Sequence, residues 1–416
     1  MNKTVMAVVV GLLIAGVGAY GAAMYGDKKI AAFYDGSIIK DKRMQIEGKS
    51  DMGLMGGTAK WTATLIPDLC SPDVHFKLRG EDTISRGLTG YQIESKIYVL
   101  PEKQAEEFFL LDASSKWNWS GNGSVQYRIP AGQYALNSLR ESGQGQLTWS
   151  DMTASVNIKN GGQDGFQAAD WVFHIPEVAL KESSGKDIFL LQNMDVKSEG
   201  ALNQTIGTGK GEVSLGKLLL NADKMAFELQ NLRQTSTQNS TDKVADVLSE
   251  TTIGSLRYQN QVFNDFKFNM NIKGISQAAL QKWLAFDKRQ GQECVKPSEV
   301  QKELEQSALL MLKDGFSIES KGNQVSLNGN QATLDMAATV PAGEYANSQE
   351  VMRKLPEKLQ YSLNATVAKS LLDSLGIFNQ AGVPMSDADW DAMLMQVPPP
   401  FKAVREGQTI KLSVQK

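Results

Sequence analysis

Phe266 to Lys273 reads FKFNMNIK, in which Phe266, Phe268, Met270 and Ile272 alternate with Lys267, Asn269, Asn271 and Lys273. A period of two puts the apolar side chains on one face of an extended strand and the polar ones on the other. Thr58 to Leu65 repeats the pattern, with Ala59, Trp61, Ala63 and Leu65 opposite Thr58, Lys60, Thr62 and Thr64. Few stretches are continuously apolar, so most strands have one wet face, which antiparallel pairing accommodates. The expected fold is mainly β with appended helices (α+β), built from antiparallel, curved or sandwich-like sheets.

Working outward, strands are expected at Arg43 to Gly48, Val74 to Leu78, Tyr91 to Leu100, Ser124 to Ile129, Gln146 to Ile158 and Ala169 to Ile175. Asn160, Gly161 and Gly162 supply hairpin chemistry between the last two. Further strands follow at Val213 to Leu220, Met225 to Leu232, Phe316 to Ser320, Val325 to Val340 (interrupted at Asn328-Gly329) and Thr409 to Val414. A helix is expected after Pro101, carrying Ala105, Phe108, Phe109 and Leu111, and another after Ser276, with Leu280, Trp283 and Leu284 on one face. Ser298 and Gln301 form a capping-box pattern ahead of the stripe Val300, Leu304, Ala308 and Met311. Two short helices carry Val367, Leu371, Leu372 and Leu375, then Trp390, Met393, Leu394 and Val397; Ser386 and Asp389 begin the last and Pro398 to Pro400 end it.

The first stretch is of another kind. Thr4 to Tyr25, TVMAVVVGLLIAGVGAYGAAMY, carries no charge and as a helix would span roughly 33 Å, enough for a hydrocarbon core of about 30 Å. Two readings compete: a retained signal-anchor, or a secretory signal cleaved after Gly21 or Ala23. The length of the apolar run favours retention, and the helix is expected to continue a turn or two through Lys28 to Tyr34. Ala7, Gly11, Ala15, Ala19 and Ala23 recur every four residues, a small-residue face of the kind through which membrane helices pack; two readings stand, self-association into a homo-oligomer and the general frequency of Gly and Ala in membrane helices. Flanking charge does not fix orientation, because Lys28 and Lys29 follow the segment as Lys3 precedes it; export-type composition favours an outside domain.

Net charge is −3 and hydrophobic content 42%, which gives no basic footprint for nucleic acid. Cys70 and Cys294 are the two cysteines, and in an oxidising compartment they are expected to form one disulfide. Gln234 to Asp242 (QTSTQNSTD) is polar and linker-like, which divides the chain into an anchor (1–26), an N-terminal β-rich domain (27–233), a linker (234–243) and a C-terminal α+β domain (244–416). IPAGQYA (Ile129 to Ala135) recurs as VPAGEYA (Val340 to Ala346), Leu147 to Ser150 as Leu359 to Ser362, and FFLLD (Phe108 to Asp112) as WLAFD (Trp283 to Asp287). Their common order suggests two duplicated halves.

The catalytic inventory is thin. His75 and His174 stand apart, short of the ligand cluster a metal needs. Ser183 and Lys186 fit S-x-x-K within a turn-like SSGK without companion motifs. Gly211 to Lys217 has Walker A spacing, but Leu218 replaces the magnesium-binding hydroxyl and the segment reads as strand. No catalytic, cofactor-binding or metal residue is assigned.

GLMGGTAKWTATL (Gly53 to Leu65), IGSLRYQNQVFNDFKFNMNIKGISQAALQKW (Ile253 to Trp283), SALLMLKDGFSI and LNGNQATLDMAATV together resemble the YdgA-like family of bacterial proteins, whose function is unknown. The resemblance implies a cell-envelope protein tethered to the inner membrane by one N-terminal helix, with the bulk of the chain in the periplasm; it supplies no catalytic residues. The expected function is a non-enzymatic scaffold or binding protein for envelope partners; the alternative is a lipid or hydrophobic-ligand carrier using a β-sheet groove, and the least favoured reading is a hydrolase using a carboxylate pair.

Overall fold

A computed structural model describes residues 26–37, 41–100, 108–136, 145–160, 166–200, 208–222, 225–258, 261–327, 329–375 and 386–416. The segment Thr4 to Tyr25, with its face Ala7, Gly11, Ala15, Ala19 and Ala23, lies outside the described residues. Among the described residues no helix is long and apolar enough to cross a membrane.

Helix α1 (Gly26–Tyr34) is followed by an antiparallel meander: β1 (Met44–Gly53), β2 (Gly56–Leu65), β3 (Phe76–Arg86), β4 (Gly90–Leu100), β5 (Phe108–Asn118) and β6 (Gly123–Ile129). Alternation sets the inner face: Leu78, Gly80, Asp82 and Ile84 are buried on β3, between more exposed neighbours. Ile30, Phe33 and Tyr34 of α1 close this face into a core with Trp61, Leu78, Ile93, Leu111, Trp117 and Tyr127. Trp61 covers its cross-strand partner Gly80, where an added Cβ would fall 1.9 Å from the indole. Trp117 lies over Gly123 in the same way.

Strand β6 pairs with β9 (Met152–Asn160), and a side hairpin of β7 (Gly132–Leu136) and β8 (Gly145–Trp149) joins β10 (Phe166–Glu182). Long strands then follow side by side: β11 (Asp187–Gly200), β12 (Gly209–Ala222), β13 (Met225–Ser240), β14 (Val244–Tyr258) and β15 (Gln261–Ser276). Helices α2 (Gln277–Gln290) and α3 (Pro297–Asp314) lead to β16 (Phe316–Leu327), β17 (Asn330–Val340), α4 (Ser348–Lys358), β18 (Gln360–Ala368), α5 (Lys369–Leu375), α6 (Asp387–Leu394), β19 (Lys402–Glu406) and β20 (Thr409–Gln415). All pairings are antiparallel and join the strands into one sheet.

The sheet is rolled. From β3 to β15 there are ten interstrand steps, roughly 48 Å if flat at about 4.8 Å each. Yet the β2–β3 connection is bonded to the α2–α3 connection through Cys70 and Cys294, whose Cα atoms are 4.7 Å apart (S–S 2.00 Å). Lys42 N also donates to Gly291 O at 2.7 Å. Helix α2 starts where β15 ends and is only about 21 Å long, so twist of roughly 20–25° per strand must carry the later strands back toward the first.

Several sequence expectations are corrected. Phe108 onward is strand, because Leu111, Ala113 and Trp117 bury alternately between β4 and β6. Gln234 to Ser240 is not a linker: it continues β13, paired from Gln234↔Thr251 to Ser240↔Ala245, and no break in the sheet occurs there. Gln146 to Ile158 divides into β8 and β9, and Val367 ends β18 rather than opening a helix. On α2 the buried residues are Gln277, Ala279 and Phe286, while Trp283 is exposed. Helix α3 starts at Pro297 without a side-chain cap, and Leu304 is half-exposed. Two of the three matched pairs differ in conformation: FFLLD lies in strand and WLAFD in helix, and Gly132–Leu136 is strand while 341–345 is not; Leu147 to Ser150 and Leu359 to Ser362 both lie mostly in strand. The Ser386–Asp389 capping box is present.

Candidate functional site

Six neighbouring strands share a local pattern of two apolar residues separated by two others: Ile175-Pro-Glu-Val178, Leu191-Gln-Asn-Met194, Leu215-Gly-Lys-Leu218, Leu229-Gln-Asn-Leu232, Ile253-Gly-Ser-Leu256 and Phe263-Asn-Asp-Phe266. Strand alternation would send the two apolar residues to opposite faces. In β11, β13 and β15 the gap holds a left-handed residue, Asn193 (φ 52°), Asn231 (φ 55°) and Asp265 (φ 51°). Gly216 and Gly254 stand between them at the same level on β12 and β14, where a Cβ would come 3.1 Å from the Asn193 or Asn231 Cβ. The pairing is unshifted across this level, running for example from Gln192↔Lys217 to Met194↔Leu215. No residue is inserted; a left-handed residue breaks the two-residue alternation, so the flanking apolar residues return to one side. The result is a crease across the sheet.

Pairing then aligns the apolar residues into transverse rows. One runs Val178, Leu191, Leu218, Leu229, Leu256, Phe263 and Leu327. A second runs Leu180, Phe189, Leu220, Phe227 and Tyr258, and a third, beyond the crease, Ile175, Met194, Leu215, Leu232, Ile253 and Phe266. The alternate positions carry polar pairs: Gln192 Nε2 donates to Glu177 at 2.8 Å, Lys217 meets Glu228 at 3.0 Å, and His174 lies 2.8 Å from Asp195. One face thus carries the apolar rows, and the other mixes these polar pairs with Leu190 and Leu219.

The apolar face is only half-covered. In the first row the six residues from Val178 to Phe263 are all half-buried, and Tyr258 in the second is 44% exposed. Of the described helices, α1 packs on β1 and β2, α2 and α3 on β15 at the edge of this face, α5 on β17 and β18, and α6 on β19. Across six strands and about nine residues along them the face measures roughly 24 by 30 Å. It continues the closed core, since Ala154 and Val156 of β9 pack against that core and pair with Phe173 and Trp171 of β10.

Inside the core sits a buried acid. Tyr34 Oη donates to Asp82 Oδ2 at 2.5 Å and Trp61 Nε1 donates to the same oxygen at 3.0 Å. Burial pushes the Asp82 carboxyl above its ordinary value, against the lowering pull of Tyr34, Ser95 and Trp61. Burial, then the adjoining Asp82, holds the Tyr34 hydroxyl well above the usual phenol range. Both groups serve to pin α1 to the sheet.

Of the residues weighed from sequence, Cys70 and Cys294 are brought together. His75 lies by the Pro72 carbonyl, 3.3 Å away, and His174 by Asp195. Ser183 and Lys186 border the β10–β11 turn, and Gly211 to Lys217 lies in the middle of β12. Among the described residues no group of three His, Cys, Asp or Glu is placed to hold a metal. The apolar rows were missed in the sequence; the signal that finds them is the recurring apolar–two–apolar step, visible once the six strands are aligned.

Residues 1–413 match the family model described as a bacterial protein of unknown function (DUF945), and the chain belongs to that family. No curated protein and no solved structure matches it.

Proposed function

We propose that this bacterial protein carries acyl-chain lipid on the inner face of its rolled sheet, tethered to the inner membrane by Thr4 to Tyr25 and facing the periplasm. The observation that carries the reading is the row Val178, Leu191, Leu218, Leu229, Leu256 and Phe263, uninterrupted by a polar residue and half-open along its length. An acyl chain covers about half of a 30 Å hydrocarbon core, so the face is long enough for one. The Cys70–Cys294 bond fits an oxidising compartment, and the resemblance to the YdgA-like family points to the same place. No step of chemistry is needed: the chain is a binding protein, and the small-residue face of its anchor would let copies pair in the membrane.

Native mass spectrometry of the full chain released from mild detergent tests the reading. Wild-type protein is expected to retain lipid-mass adducts, and Leu218→Ser with Leu229→Ser to lose most of them. A clean apo mass for the wild type would favour a scaffold over a carrier.

A further inference from the structure

At one end of the β1–β6 meander, three turns bring large apolar side chains into solvent. Alternate hairpins of a meander turn at the same end, here 54–55, 87–89 and 119–122. Leu54 is 88% exposed, Met55 74%, Leu88 100% and Trp119 46%. The turns are knit together: Arg86 N donates to Met55 O at 2.9 Å, Trp119 Nε1 to Leu88 O at 2.9 Å, and Trp119 N to Thr89 O at 3.3 Å. Trp119 also lies against Tyr91, with ring centroids 6.2 Å apart. Turns ordinarily carry Gly, Pro, Asn, Asp and Ser, and large apolar side chains gain by leaving water. Four on one rim form a surface with somewhere to go.

Two further features say where. Beside the rim lies an open cleft whose lining includes Arg86, Lys116 and Lys159 with Asp170, a net positive mouth. Helix α1 lies against the first two strands of this meander. Gly36 lies at the level of Ile46, where an added Cβ would be 2.3 Å from the Ile46 carbonyl. Tyr34, two residues earlier, reaches Asp82, which pairs through Ala59 with Ser50, further toward the turns. The uncharged run Thr4 to Tyr25 precedes α1 in the chain.

We propose that this rim docks on an anionic bilayer surface, the one the N-terminal segment enters. Leu54, Met55 and Leu88 insert at the acyl boundary, Trp119 sits at headgroup level where indoles concentrate, and the cations at the mouth face anionic lipid. The inference needs the tether but not the carrier role, because docking and acyl binding use different strands.

The test is tryptophan fluorescence of the full chain in nanodiscs containing phosphatidylglycerol and lipid brominated near the headgroup, with Trp119→Phe isolating the Trp119 signal. Bromolipid quenching of Trp119 is expected, together with its loss in the Leu54→Ser, Leu88→Ser double variant at unchanged melting temperature; both sites are exposed, so folding is spared. Equal quenching in wild type and Trp119→Phe overturns the proposal. So does a Trp119 signal as open to aqueous acrylamide in nanodiscs as in detergent, which would leave the rim to a soluble protein partner. Lipid adducts in native mass spectra report on the carrier reading separately, since the rim variant leaves Leu218 and Leu229 intact.

Discussion

Asp82 couples the first helix to the sheet through one carboxyl oxygen that accepts from both Tyr34 and Trp61. Its folded-state pKa is raised by burial, so between the ordinary carboxyl value of 3.8 and the raised one the folded chain binds a proton that the unfolded chain has released. The stability from this group is therefore complete below the ordinary value and is lost as pH rises through the folded one. Melting temperature measured against pH should fall across that window for the wild type, and the fall should be shallower in Asp82→Asn. Tyr34→Phe removes a buried donor and should cost about 1–3 kcal/mol in chemical denaturation. Gly80 makes the same point sterically: an added Cβ would strike the Trp61 indole, so Gly80→Ala should destabilise by about 1–3 kcal/mol.

Among the elements, the crease and the disulfide set the curvature. Asn193 and Asn231 hold left-handed backbone, which a β-branched residue resists by about 1–2 kcal/mol, so Asn231→Val should lower the melting temperature while Asn231→Gly should not. Reducing the Cys70–Cys294 bond, or replacing both residues by serine, releases a long loop and should cost about 2–5 kcal/mol by denaturant titration. These elements were unevenly legible. The FKFNMNIK alternation identifies β15 because one face is apolar and the other polar. Gln234 to Asp242 reads as a linker because its side chains are polar on both faces, and only the ladders to β12 and β14 make most of it strand. After Pro101, a helical spacing through Phe108 and Leu111 competed with the period-two set Leu111, Ala113 and Trp117, and pairing with β4 and β6 settled it. The crease has no signature in a single strand, since Leu-Gln-Asn-Met carries none; it emerges from six strands in register.

At the scale of the molecule, a single rolled antiparallel sheet has its inner face closed by α1 at one end and half-buried along β10 to β15, with the Cys70–Cys294 bond tying the β2–β3 connection to the α2–α3 connection. A closed core would fully bury Val178, Leu191, Leu218, Leu229, Leu256 and Phe263; they are half-buried instead. The account stands on what fills that face. Photo-crosslinking in membranes with a diazirine-bearing fatty acid, followed by peptide mapping of the full chain, addresses it most directly. Adducts on peptides of β11 to β14, containing Leu191, Leu218, Leu229 and Leu256, are the result that lipid carriage predicts. Adducts confined to Thr4 to Tyr25, as a tether alone would give, would contradict it.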